Sequence, residues 1–479
     1  MTMTDRNRWY ALIVLCMASL MIVLDTTIVN VALPSIRTDL GFSETSLAWV
    51  VNAYLLTFGG FLLLGGRLGD LFGHRRLFVS GIALFTAASL ACGLSTSQGM
   101  LVTARAVQGL GGAVVSAVAL SLIMMLFTDP TERTKAMGFF GFVMAAGGSI
   151  GVLLGGVLTD TLTWHWVFLV NLPIGAAVFA LTFALIPGGR GRGRAKVDLA
   201  GAATVTLSLM LAVYAVVNGN GVGWTTTRTI GLLAAAAALM VAFVVIESRV
   251  SSPLVPLRLF KLRNVSTANV IGVLWAAAMF SSFFLSALYL QLVLGYKPLD
   301  VGLTFLPANL IMAVFSIGLS AKIVMRFGIK RPIAAGMTLV ALGLLLFVRA
   351  PVDGNVLIDV VPAMIVFGIG AGLAFNPVLL AAMSDVEQSE AGLASGVVNT
   401  AFMMGGALGL AVLASLAASR TNNLRADGES ALVALNGGYH LAFAIGALFA
   451  LAAGVAATVF LREAKPAHEA AREPAFAEN

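Results

Sequence analysis

Of 479 residues, 59% are hydrophobic and only 11% charged, and the formal net charge is +7. With a mean hydropathy of +0.97, this composition excludes an ordinary soluble domain. No Gly-Lys dipeptide occurs, so a G-x-x-x-x-G-K-[ST] phosphate loop, and an ATP-driven pump within this polypeptide, are excluded too.

Fourteen apolar stretches approach or exceed the roughly 17 residues that cross a bilayer. They run over 10–33, 47–66, 77–94, 100–126, 136–158, 166–186, 199–217, 229–247, 267–291, 302–325, 333–349, 358–382, 392–417 and 439–461. The first is not a cleaved signal peptide, since Asp25 interrupts it and no small-residue cleavage site follows.

Asp25 lies well inside that first span, whereas Glu247 and Asp359 fall at span ends. A charge at such depth costs roughly 2.5–3.5 kcal/mol or more, so it faces a cavity and carries a function. Loss of water favours the neutral form of an acid, which makes Asp25 a candidate reversible proton carrier. The plainer reading is an acid hydrogen-bonded between helices for packing alone.

The Gly66–Arg76 stretch between spans two and three has a weak partner in Ala321–Arg331, between spans ten and eleven. Both end Phe-Gly-x-basic-Arg, with Met325 standing where the first copy has Asp70. Two equivalent six-span units follow, with a substrate site expected between them. The expected organisation is 1–186 as the N-terminal unit, 187–266 as a linker with two added spans, 267–461 as the second unit and 462–479 as a tail. In the first loop, Asp70 and Arg75/Arg76 bracket a turn opened by Gly69 and Gly73, and can pair or cap a helix end.

Arg105, Gln108, Gly109 and Gly112 share one face of the fourth span. The depths of Asp25 and Arg105 differ by roughly 5 Å, within reach of an arginine. Pairing is one expectation; snorkelling of Arg105 to headgroups is the other. In the fifth span, Gly147, Gly151 and Gly155 strip one face bare, with Gly156 beside them, allowing close helix contact.

Most Lys and Arg fall in one set of loops. Of the 29, only Arg37, Arg228, Lys297, Arg349, Arg420 and Arg425 lie on the other side, and Arg105 within a span. The positive-inside rule then places both termini in the cytoplasm. The basic runs orient the chain and meet anionic headgroups, so no nucleic-acid partner is inferred. Cys16 and Cys92 sit inside spans and read as buried small hydrophobes.

Leu24-Asp25-Thr26-Thr27-Ile28-Val29-Asn30-Val31-Ala32-Leu33-Pro34 resembles the first-span signature of the fourteen-span drug–proton antiporters of the major facilitator superfamily. Gly66–Arg76 looks like the superfamily's inner loop, Arg105–Gly112 like its fourth-span motif, and Gly147–Gly156 like its antiporter motif. Trp164–Gly175 is similar to the branch's sixth-span entry. Leu290–Pro307 and Gly392–Gly409 carry the match in the second half. Val152 stands where the family has proline, and His165 where it has arginine.

The resemblance implies an all-α integral membrane protein of the major facilitator fold, two six-helix bundles plus two inserted helices. It implies proton coupling at Asp25 and Arg105, and a conformational latch at Gly66, Asp70, Gly73, Arg75 and Arg76. Candidate cavity residues are Asn30, Gln108, Trp275, Phe284, Asn309, Asn376, Asn399 and Met403: polar amides at depth, aromatic faces, and a soft thioether beside Gly405-Gly406. The expected activity is proton-driven export of amphipathic drugs, dyes or antibiotics by a monomer in a bacterial inner membrane, without cofactor or metal. A metabolite exporter or proton symporter on the same fold is the rival. A membrane enzyme is disfavoured because His74, His165, His440 and His468 form no metal-like spacing.

Overall fold

The computed structural model describes residues 5–186, 198–251, 253–315, 319–386 and 390–462. Described elements are helical throughout. The first half comprises α1 (Asp5–Leu40), α2 (Glu44–Leu47), α3 (Trp49–Phe72), α4 (His74–Gly93), α5 (Gln98–Leu126), α6 (Pro130–Thr161), α7 (Trp166–Leu169) and α8 (Asn171–Leu185). Then come α9 (Leu199–Val222) and α10 (Thr227–Arg249). The second half holds α11 (Arg263–Leu288), α12 (Pro298–Val314), α13 (Ser320–Phe327), α14 (Lys330–Phe347), α15 (Val361–Met383), α16 (Ala391–Ala426) and α17 (Ala431–Phe460).

Among the described residues, 13 helices are long and apolar enough to cross a membrane. The tenth expected span is shorter than the rest: α12 has 17 residues, and α13 follows after residues 316–318, which are not described. The linker 187–197 and the tail beyond 462 also lie outside the described residues.

The apolar sequence gives little choice but helix, because backbone polar groups have no water partners in lipid. Polar residues mark where each helix begins. Ser97 caps α5 and Ser430 caps α17; Asp129, followed by Pro130 at the first helical position, caps α6.

In the first bundle α1 packs on α6 and α8, and α5 on α3 and α4; in the second, α14 packs on α15 and α17, and α11 on α16 and α17. The bundles meet along α6 with α12 and α3 with α16, while α9 leans on both α3 and α16. Both copies of the loop repeat turn on a glycine at the same register. Gly73 (φ 93°) and Gly328 (φ 72°) each end a helix in the left-handed region, donating N–H to Gly69 O and Val324 O.

One face of α6 measures the angle between the bundles. A Cβ on Gly156 would sit 2.8 Å from Pro298 O, and one on Gly148 would lie 3.9 Å from its nearest α12 atom, on Asn309. On Gly141, two further turns along, it would meet nothing within 4 Å. Helices α6 and α12 therefore touch at the end away from the chain termini and diverge toward the end that bears them.

Candidate functional site

Asp25 sits at the centre of a buried polar knot built by four helices. Arg105 Nη1 donates to Asp25 Oδ2 at 2.5 Å, while Gln108 Nε2 and Asn171 Nδ2 donate to Oδ1 at 2.6 and 3.0 Å. The two amides also donate to Ser89 Oγ, at 2.6 and 3.0 Å. Arg105 also donates from Nε to Val50 O of α3 at 2.9 Å, and from Nη1 to Gln108 Oε1 at 2.7 Å. Asp25, Gln108, Ser89 and Asn171 are 0% exposed and Arg105 is 1% exposed.

Geometry explains why an arginine can be held here. Its guanidinium lies 4.4 Å from the Tyr54 ring centroid and 5.6 Å from that of Phe168, so aromatic faces replace part of its lost hydration. Gly109 lets α5 approach α3 closely, since a Cβ there would stand 2.4 Å from Tyr54 O. Likewise a Cβ on Gly155 would stand 2.6 Å from Ile28 O, so the bare face of α6 receives α1 on the turns around Asp25.

The expected pairing of Asp25 with Arg105 is present, and snorkelling of Arg105 is not. Gln108, expected in the cavity, belongs instead to the Asp25 knot. Ser89 and Asn171 were not singled out as site residues. Asn171 stands in the Trp164–Gly175 motif, which was the available signal; Ser89 is one serine among many and carried none. His165 stacks on Trp164 at 3.8 Å between centroids, and Trp164 Nε1 donates to Asp39 Oδ2 at 2.8 Å, so this pair fastens the far end of α1.

The other cavity candidates separate. Trp275 is buried, edge-on to Phe375 and Phe402, and its Nε1 has no hydrogen-bond partner. Together with Asn399 they line a space of about 20 Å³, room for about one water. Phe284 is 1% exposed and belongs to the buried apolar core. Asn30 and Asn399 turn their amides onto Thr26 O and Ser395 O of their own helices. Met403 packs against Gly59 at the seam of α3 and α16. Asn376 is half-buried. Asn309 lies where α6 and α12 begin to part, with Nδ2 unpartnered. A separate apolar groove of about 590 Å³ between α4 and α5, lined by residues such as Leu84 and Met100, suits a lipid chain.

Of the latch residues, Arg75 donates to Phe183 O at 2.9 Å and lies over the Phe183 ring, and Arg76 is exposed. Gly73 makes the turn at φ 93°, Gly66 lies within α3 and not in the loop, and the side chain of Asp70 lies outside the described residues.

A model of the Major Facilitator Superfamily matches residues 15–410. The chain belongs to the Major Facilitator Superfamily. Among superfamily relatives, it is 39% identical over 452 residues to the puromycin resistance protein of Streptomyces alboniger, covering 93% of this chain and 90% of that one. It is 39% identical over 420 residues to the cephamycin export protein of Amycolatopsis lactamdurans, covering 87% and 86%. It is 36% identical over 417 residues to the lincomycin resistance protein of Streptomyces lincolnensis, covering 86% and 85%. The crystal structure of the POT family transporter PepTSo shares the fold, with TM-score 0.68 at 14% identity over 99% of this chain and all of that one.

Proposed function

We propose that this superfamily member is a proton-coupled exporter of amphipathic antibiotics or drugs. It works as a monomer in a bacterial inner membrane, with both termini cytoplasmic and no cofactor. The observation that carries the reading is the Asp25 knot, a carboxylate held by three donors in a dry bundle core. The resistance and export relatives supply the substrate class.

The knot suggests how the cycle runs. A proton arriving from outside neutralises Asp25, removes its charge attraction to Arg105 and loosens the grip between α1 and α5. The bundles then rock about the seams of α6 with α12 and α3 with α16. With the basic loops inward, the divergence of α6 and α12 at the terminal end is an opening toward the cytoplasm. Each unit charge crossing the field supplies about 2.3 kcal/mol per 100 mV, enough to drive accumulation outside.

The test is efflux of puromycin, lincomycin and a lipophilic cationic dye from proteoliposomes under an imposed pH gradient, comparing native protein with Asp25→Asn. Gradient-driven efflux that the variant loses supports the reading. Gradient-driven efflux that survives the substitution removes Asp25 from coupling, and substrate movement with the proton makes the protein a symporter.

A further inference from the structure

A second pair of acids lies far from Asp25, where the inserted helices meet the first bundle. Asp198 caps α9, its Oδ1 accepting from Gly201 N at 2.7 Å. Glu247 stands in the last turn of α10, its Oε2 accepting from Val255 N at 3.2 Å. Their exposures are only 4% and 3%. The remaining oxygens, Asp198 Oδ2 and Glu247 Oε1, have no hydrogen-bond partner. Both point at one spot: a Cβ on Gly201 would lie 2.4 Å from the first and 2.9 Å from the second. Glycine leaves the gap open, and the two carboxyls face one another across it.

The surroundings make two negative charges there untenable. Leu64, Ala202 and Leu254 form an apolar cluster around the site, with Phe61 and Val255 against it. The charged group from the neighbouring helix is Arg67 of the inner loop motif, which donates to Pro253 O and whose charge acts on Glu247. Among the described residues a single cation, Arg67, stands against two buried carboxylates, and like charges so close do not both ionise. A proton held at this gap removes one of the two charges and supplies a donor where both orphaned oxygens point.

We propose that Asp198 and Glu247 hold one shared proton, forming a second proton-binding site that ties α9 and α10 to Arg67 in the last turns of α3. The site sits at the end of the bundle that bears the termini, beside the loop that must move when the bundles rock. Gain or loss of that proton changes how firmly the inserted hairpin grips α3.

Infrared spectra of the full-length protein in phosphatidylcholine vesicles at neutral pH read protonation directly, whatever substrate is carried. Native protein and Asp25→Asn are expected to show a protonated-carboxyl carbonyl band that exchanges in deuterated water. Glu247→Gln and Asp198→Asn are each expected to lose it. Asn still caps a helix, and either amide can donate to the carboxylate that remains, so both variants keep the local fold. A native spectrum without the band, or a band that both substitutions leave in place, overturns the proposal. The first result would fit two ionised acids sharing a metal cation.

Discussion

Arg105 Nη1 lies 2.5 Å from Asp25 Oδ2, and neither side chain is more than 1% exposed. Buried inside the bundle core, this pair has no water to fall back on. Its worth comes from what each partner would lose alone. A buried charge without its partner costs about 3–5 kcal/mol.

Arg105→Ala is therefore expected to lower unfolding stability by about 3–5 kcal/mol. Arg105→Lys should recover part of that and none of the transport. Lysine offers a point charge where the site needs a planar fork reaching Val50 O, Asp25 and Gln108 at once. Thermal melts in detergent, beside efflux in proteoliposomes, separate the two effects.

Two neighbouring glycines of α6 should fail in different ways. At Gly155 a Cβ meets Ile28 O within the first bundle, and at Gly156 it meets Pro298 O of the second. Gly155→Ala is expected to cost about 1–3 kcal/mol of stability by overpacking. Gly156→Val should leave the bundle folded and disfavour closure at the far end. Labelling of a cysteine placed on α12 near Leu299 reads the difference: faster in Gly156→Val, unchanged in Gly155→Ala.

Asn309 carries an unpartnered amide donor at the point where α6 and α12 part. A substrate bearing a carbonyl or ether oxygen can take that bond, and a hydrocarbon-like dye cannot. Asn309→Ala should weaken transport of the oxygen-bearing substrate about tenfold, the value of roughly one hydrogen bond, and spare the dye. Competition assays with both substrates on the same preparation check it.

Gly73→Ala places a side chain at φ 93°. The expected loss is about 1–2 kcal/mol, with the turn between α3 and α4 distorted. Gly328→Ala, at φ 72°, is expected to be destabilised too, because this glycine also ends its helix at positive φ. Equal shifts in melting temperature would support the kinship of the two loops; a shift at one site only would count against it.

The sequence by itself determined the class of the molecule and the positions of its charged groups in depth. Apolar runs of membrane length must become helices, and Asp25 and Arg105 were placeable by counting residues along theirs. The helix-ending glycines Gly73 and Gly328 were visible as a matching Phe-Gly-x-basic-Arg ending. Only the tertiary structure decided which side chains meet across helices. Helical periodicity put Gln108 on the Arg105 face, and packing of α5 against α1 and α4 gave it to Asp25 and Ser89. Phe284 reads as a cavity aromatic, and its burial is a property of the packed bundle. Glu247 reads as an acid at a span end, where water is near. The turn through Pro253–Val255 folds over it, and Asp198 arrives from the other side of a long linker. Depth in a membrane is a one-dimensional property that counting can recover; the facing of helices is a property of the assembled bundle, and no single helix contains it.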